Sequence, residues 1–129
     1  MAEPGEGFYP YQAGIDAYGN GGFRFAGMSH RGSLLCLPTG MHAWDVTDPA
    51  QIDAAALSLV FAAADRIEVL LVGTGSRLVW LDPKLSAALS AERIVTEPIA
   101  TGGAVRTYNI LLAEKRAVAA ALIAVESAR

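Results

Sequence analysis

The residues with most to offer chemically are a few glycines, threonines and arginines. Gly73-Thr74-Gly75-Ser76-Arg77 directly follows the apolar run Ile67–Val72. In open α/β sheets, ligands bind in the crevice beyond the carboxyl ends of parallel strands. Glycines there let a ligand approach backbone N–H groups closely. A second candidate is Thr101-Gly102-Gly103, with Arg106 in the following turn and Asn109 beyond it. At a helix start, free N–H groups and the helix dipole favour an anion. If the strands preceding these segments are neighbours, one crevice gathers Gly73, Thr74, Gly75, Arg77, Thr101, Arg106 and Asn109. It would take a small molecule or an anion.

Each of these residues also has a plainer reading. The glycines could simply turn the chain, since neither a Gly-x-Gly-x-x-Gly fingerprint nor a P-loop lysine is present. Thr101 could cap a helix while Arg106 pairs with a carboxylate such as Glu97. Asn109 could bond a loop backbone. Tyr108 shares an apolar stripe with Val105 and Leu112, so a core role suits it better than catalysis.

The remaining reactive side chains are isolated. His30 and His42 are the only histidines, and no Cys/His/carboxylate spacing suggests zinc. The single cysteine, Cys36, lies inside an apolar strand run and reads as buried and inert. No nucleophile elbow or acid pair stands out. No metal or cofactor is expected, and the balance leans against an enzyme. Trp44 and Trp80 suggest contact rather than chemistry. Trp80 falls in Leu78-Val79-Trp80-Leu81 and, if exposed, would anchor a partner protein.

The elements that must position these residues begin with β signals. Gly19-Asn20-Gly21-Gly22 is a turn cluster between Ile15–Tyr18 and Phe23–Ala26, as a tight hairpin demands. A further turn at His30-Arg31-Gly32 precedes strands at Ser33–Leu37 and His42–Val46. Asp48, Pro49 and Gln51 form a capping box with proline at the first helical position. Apolar residues from Ile52 to Ala63 then recur at helical spacing, so a helix is expected to run to about Ala64. Ile67–Val72 is almost continuously apolar, as in a strand covered on both faces. Asp82-Pro83 opens a short helix, Ile94–Thr96 is a strand that stops near Pro98, and Thr101 caps a third helix. By its residues alone, Ala117–Val125 suits helix or buried strand. The order predicts a mixed sheet with helices on its faces, and a parallel crossover from Ile67–Val72 to Ile94–Thr96.

Bulk properties bound the rest. The chain has 129 residues, 53% hydrophobic and 18% charged, which suits one domain with a real core. Residues 1–12 read as a flexible leader and 13–129 as the domain. A net charge of −3 argues against nucleic acid and anionic membrane surfaces. A lone cysteine points to a reducing compartment, and the acidic N-terminus is unlike a signal peptide. No apolar run reaches the ~20 residues a bilayer span needs. The expectation is a cytoplasmic protein that is not integral to a membrane, with self-association left open.

Four segments carry a resemblance across nearly the whole chain, from about Ile15 to Val125. They are Tyr18-Gly19-Asn20-Gly21-Gly22-Phe23-Arg24, His30-Arg31-Gly32-Ser33-Leu34-Leu35, Ile67-Glu68-Val69-Leu70-Leu71-Val72-Gly73-Thr74-Gly75 and Arg106-Thr107-Tyr108-Asn109. In this order and spacing they resemble the Mth938-like family. The resemblance implies a three-layer α/β domain around a mixed sheet, with N-terminal hairpins and a final strand at about Ala117–Ile123. It also implies that the family's usual glycine after the Arg106–Glu114 helix is replaced here by Lys115. A mitochondrial member acts in assembling respiratory complex I. The expected function is therefore a non-catalytic binding or assembly module whose partners are proteins, such as respiratory-complex subunits or assembly factors. The alternative is a small-molecule or anion-binding enzyme at the crevice.

Overall fold

A computed structural model describes residues 8–128. Its framework is a six-stranded mixed sheet in the order β1-β6-β5-β9-β7-β8. The strands are β1 (Phe8–Tyr9), β5 (Ser33–Leu37), β6 (Gly40–Trp44), β7 (Val69–Gly73), β8 (Val95–Ile99) and β9 (Val118–Leu122). β7 runs parallel to both β8 and β9, whereas β1, β6, β5 and β9 pair antiparallel in turn. A second sheet joins β2 (Ala17–Gly19), β3 (Gly22–Phe25) and β4 (Met28–Arg31).

Period-2 alternation explains why the central strands are apolar throughout. Leu35, Leu37, Leu70, Val72, Ala119 and Ala121 face one core, which is closed by the 49–66 segment and by α2 (Pro83–Ala91). Leu34, Cys36, Leu71, Val118, Ala120 and Leu122 face the other, closed by α3 (Thr101–Ala113) and by Phe23 and Phe25 of the second sheet. A strand covered on both faces has no polar side to show. The alanines of β9 follow from the same constraint, since they are wholly buried between two strands and two core layers. The three-layer α/β architecture, the crossover from β7 to β8 and the final strand agree with the sequence-based expectation.

Several boundaries differ from that expectation. The capping box at Asp48 forms, with Ala50 N–H donating to Oδ1 at 2.8 Å, but it starts only a 3-10 turn at Pro49–Gln51. Five residues on, Asp53 Oδ1 accepts from Ala56 N–H at 2.8 Å. This second cap-type side chain competes for the backbone and breaks the expected helix, leaving only α1 (Ser58–Ala62) and a 3-10 turn at Ala64–Arg66. The second hairpin turns at Ala26-Gly27, both with positive φ, so His30 and Arg31 lie in β4 rather than in a turn. β8 continues through Pro98 to Ile99, which an edge strand tolerates because one side needs no donor. Residues 8–12, expected in a flexible leader, instead supply β1, and Gln12 Nε2 donates to the Val118 carbonyl at 2.7 Å. Residues 1–7 lie outside the described residues.

The end of α3 shows how the chain manages without a glycine. Lys115 has φ of 61°, its N–H donates to the Leu112 carbonyl, and Arg116 N–H donates to the Leu111 carbonyl. These two bonds are the Schellman arrangement, whose left-handed position normally belongs to glycine. A side chain there costs about 1–2 kcal/mol. Lys115→Gly should therefore raise unfolding stability by about 0.5–1 kcal/mol, after the flexibility glycine adds to the unfolded chain. Lys115→Val should lower it. Urea titrations of the two variants against the parent read both changes.

Candidate functional site

β9, β7 and β8 end side by side, and two threonines tie those ends together. Thr74 is buried just past β7, with its N–H donating to the Ile99 carbonyl at 2.8 Å. Its Oγ1 lies 2.7 Å from the Arg77 carbonyl and 3.1 Å from that of Ile99, and it accepts from Val79 N–H at 3.0 Å. Thr101, the first residue of α3, is wholly buried. Its Oγ1 donates to the Ile123 carbonyl at 2.7 Å and accepts from Gly75 N–H at 3.0 Å. Thr101 N–H also donates to the Gly75 carbonyl at 2.8 Å. The expected convergence of the two trailing loops is thus present, as a direct hydrogen-bonded contact.

The glycines serve that contact. A Cβ on Gly73 would stand 2.9 Å from Thr101 Oγ1 and 3.0 Å from Thr101 Cα, so only glycine lets α3 begin this close to β7. Gly75 has φ of 106° and turns the chain. On Gly102 a Cβ would collide with the Tyr18 hydroxyl, which covers the start of α3 where an anion was expected. Arg106 folds back beside the same turn, with Nη1 3.6 Å from the Gly102 Cβ position. The ion pair among the described residues is Arg116 with Glu68, not Arg106 with Glu97. Thr101 does not act as a side-chain cap either, because Ala100 holds that position and the hydroxyl points to the loop and β9.

Asn109 is committed elsewhere. Its Nδ2 donates to the Ile15 carbonyl and its Oδ1 accepts from Ile15 N–H, both at 2.8 Å. Tyr108 is wholly buried and its hydroxyl donates to the Ala13 carbonyl at 2.7 Å. Together they strap residues 13–15 across α3. Burial pushes the Tyr108 hydroxyl pKa upward, and burial likewise raises that of the Cys36 thiol beside it. Neither group is tuned towards reactivity. Trp44 is also structural, with Nε1 donating to the Ala56 carbonyl at 2.8 Å.

Space opens on the other side of the loop. A groove of about 910 Å³ is walled by residues from three segments, Thr47 to Asp53, Thr74 to Asp82 and Ile123 to Ser127. Thr74, Gly75, Arg77 and Trp80 line it; Gly73, Thr101, Arg106 and Asn109 are not among its lining residues. The crevice expected between Gly73–Arg77 and Thr101–Arg106 is closed by the threonine contacts and by Tyr18. Trp80 is 78% exposed and Leu78 is exposed beside it. Four acidic residues, Asp48, Asp53, Asp82 and Glu126, are among the lining residues, with Arg77 as the one cation; the Glu126 carboxylate lies against the Gly21 turn. Asp48 and Asp82 were legible as caps but not as parts of a shared surface. Glu126 had no sequence signal. It is placed because Asn20 and Gly21 N–H groups donate to the carbonyls of Glu126 and Val125.

Comparison with known proteins fits this geometry. Residues 15–123 match the profile of a family described as "Protein of unknown function (DUF498/DUF598)". A Bartonella henselae crystal structure, described as an outer membrane protein, is 53% identical and superposes with a TM-score of 0.88 over 92% of this chain and 99% of that one. A Bordetella pertussis protein described as a Mth938-like domain is 30% identical, with a TM-score of 0.75 over 98% of this chain and 93% of that one. NADH dehydrogenase [ubiquinone] 1 alpha subcomplex assembly factor 3 from Xenopus tropicalis is 35% identical over 84% of this chain. The match covers only 60% of that factor's length.

The threonine contacts set a clear expectation. Thr101→Val keeps the shape but removes the partner of both Gly75 N–H and the Ile123 carbonyl in a buried setting. Each orphaned group costs about 1–3 kcal/mol, so the variant should lose about 3 kcal/mol of stability. Thr101→Ser, which keeps the hydroxyl, should lose less than half of that. Thermal and urea unfolding of both variants separate the hydrogen bonds from the packing.

Proposed function

Because this chain belongs to the DUF498/DUF598 family and has the Mth938-like fold, we propose that it is a non-catalytic protein-binding module. Its work would be the assembly of an NADH dehydrogenase-type respiratory complex. The observation that carries the reading is Trp80, exposed to solvent beside an open groove on a loop that Thr74 pins through the Arg77 carbonyl and Val79 N–H. Covering a largely exposed tryptophan gains on the order of 3–5 kcal/mol. Such residues dominate the energetics of protein interfaces. The named assembly-factor relatives supply the biological direction, while the groove supplies a surface for contact.

The partners would be subunits of that complex or other assembly factors. Among the described residues no helix is long and apolar enough to cross a membrane. Cys36 is a free cysteine, which suits a reducing compartment such as the cytoplasm.

Affinity capture of the tagged chain from its native cells should recover NADH dehydrogenase subunits or their assembly factors, identified by mass spectrometry. Trp80→Ala, an exposed substitution expected to change stability by less than about 0.5 kcal/mol, should reduce that recovery at least tenfold. Equal recovery with the variant, or repeated capture of the chain alone, overturns the reading.

A further inference from the structure

Resting on the protein-binding reading above, we infer that the groove beside Trp80 receives an extended, basic segment of a partner polypeptide carrying alternating cationic and aliphatic side chains. The geometry gives three reasons. The first is charge. Asp48, Asp53, Asp82 and Glu126 are among the residues that line the groove, and Arg77 is the one cation among them. Asp48, Asp53 and Asp82 each spend Oδ1 on a backbone N–H, from Ala50, Ala56 and Lys84 respectively. Their second oxygens have no hydrogen-bond partner among the described residues. A lone carboxylate oxygen at a solvent-open wall suits a lysine or arginine head.

The second reason is spacing. Among the described residues no three carboxylate, histidine or cysteine side chains come close enough to hold a metal ion. The acids stand instead on three separate segments of the lining, at 48–53, at 82 and at 126. That distribution matches several cations on one chain and not a single bound ion. The third reason is the apolar part of the same groove. Val79, Trp80, Leu81 and Ile52 line it alongside the acids. The face of an exposed indole attracts an ammonium or guanidinium, and its edges and the neighbouring aliphatic groups accept leucine-like side chains. A purely cationic ligand would leave this apolar wall unused. A purely apolar one would bury carboxylates without partners, which is costly.

The chain itself provides the readout. Of its two tryptophans, Trp44 is buried and Trp80 is 78% exposed, so acrylamide quenching of intrinsic fluorescence reports on Trp80. The probes are two capped synthetic peptides of equal length, one repeating Lys, Leu and Gly and one repeating Glu, Leu and Gly. The Lys peptide should protect Trp80 from quenching and shift its emission to the blue, at least tenfold more tightly than the Glu peptide. Binding should weaken as salt rises. The neutral variant Asp48→Asn, Asp53→Asn, Asp82→Asn, Glu126→Gln should reduce Lys-peptide affinity at least tenfold. Asparagine is as good a cap as aspartate, so this variant should fold, which circular dichroism checks. Trp80→Phe should remove the quenchable signal while calorimetry still detects the peptide.

Equal protection by both peptides, or preference for the Glu peptide, overturns the charge assignment but leaves protein docking at Trp80 standing. No protection by either peptide overturns the groove as a site for an extended segment, whatever the capture experiment shows. Protection that grows with protein concentration in the absence of peptide would make the occupant a second copy of this chain, and overturns the inference. Loss of subunit capture by Trp80→Ala tests the assembly reading separately.

Discussion

Two buried hydroxyl groups hold the carboxyl edge of the sheet together, and the groove depends on them. β9, β7 and β8 end in one plane, and a chain leaving such an edge carries backbone donors and acceptors that need partners. Thr74 satisfies Val79 N–H and the Arg77 carbonyl from within the loop, while Thr101 bridges Gly75 N–H to the Ile123 carbonyl from the start of α3. Hydrogen bonds in so buried a setting are strengthened by the low local dielectric, and leaving one unmade is correspondingly costly. These bonds pin the loop at Gly75, Arg77 and Val79, and Leu78 and Trp80 between and beyond them are exposed.

That arrangement in turn depends on what is absent at Gly73. A side chain at this position would meet Thr101 and Leu122 together, so α3 could not begin where it does. The wholly buried alanines of β9 belong to the same accommodation, because small residues let β5, β7 and both core layers close around a central strand. On the far side of α3, Tyr108 and Asn109 clamp the backbone of residues 13–15. The helix is thereby fixed at its start by a threonine and along its length by a tyrosine and an asparagine. Its exposed face does not have to contribute.

Much of this was legible in the amino-acid sequence, and the reasons for the misses are physical. The Asn20-Gly21 turn, the apolar β7 and the two Asp-Pro signatures are local signals, and each appears where its chemistry demands. The helix expected from Pro49 to about Ala64 failed because Asp53 offers the backbone a second cap, a competition that apolar periodicity does not register. The Ala26-Gly27 turn was missed because alanine rarely adopts positive φ and so advertises nothing. The helix-or-strand ambiguity at Ala117–Val125 was resolved by family resemblance, since its alanines argue against the strand it forms. The candidate site was half legible. Thr74, Gly75 and Arg77 were expected in a crevice with Thr101, Arg106 and Asn109, and Trp80 separately as a partner contact. The groove that Thr74, Gly75, Arg77 and Trp80 line instead has its opposite wall from residues remote in the chain, and no spacing rule links Asp48 to Glu126.

The sign of the groove follows from how its walls are built. Two segment starts, at Pro49 and Pro83, and the Asp53 turn converge there, and each is capped by an aspartate. Asparagine or serine would satisfy the same N–H groups, so capping alone does not require negative charge. Glu126 adds a fourth carboxylate with no capping duty, beside the Gly21 turn. A surface meant for a phosphate or carboxylate ligand would be opposed by all four. The same charges steer a basic partner during its approach and penalise acidic competitors, which is how surface electrostatics contributes most to protein recognition. The apolar stretch from Val79 to Leu81 then supplies what charge in water does not, namely area removed from solvent once the partner has arrived.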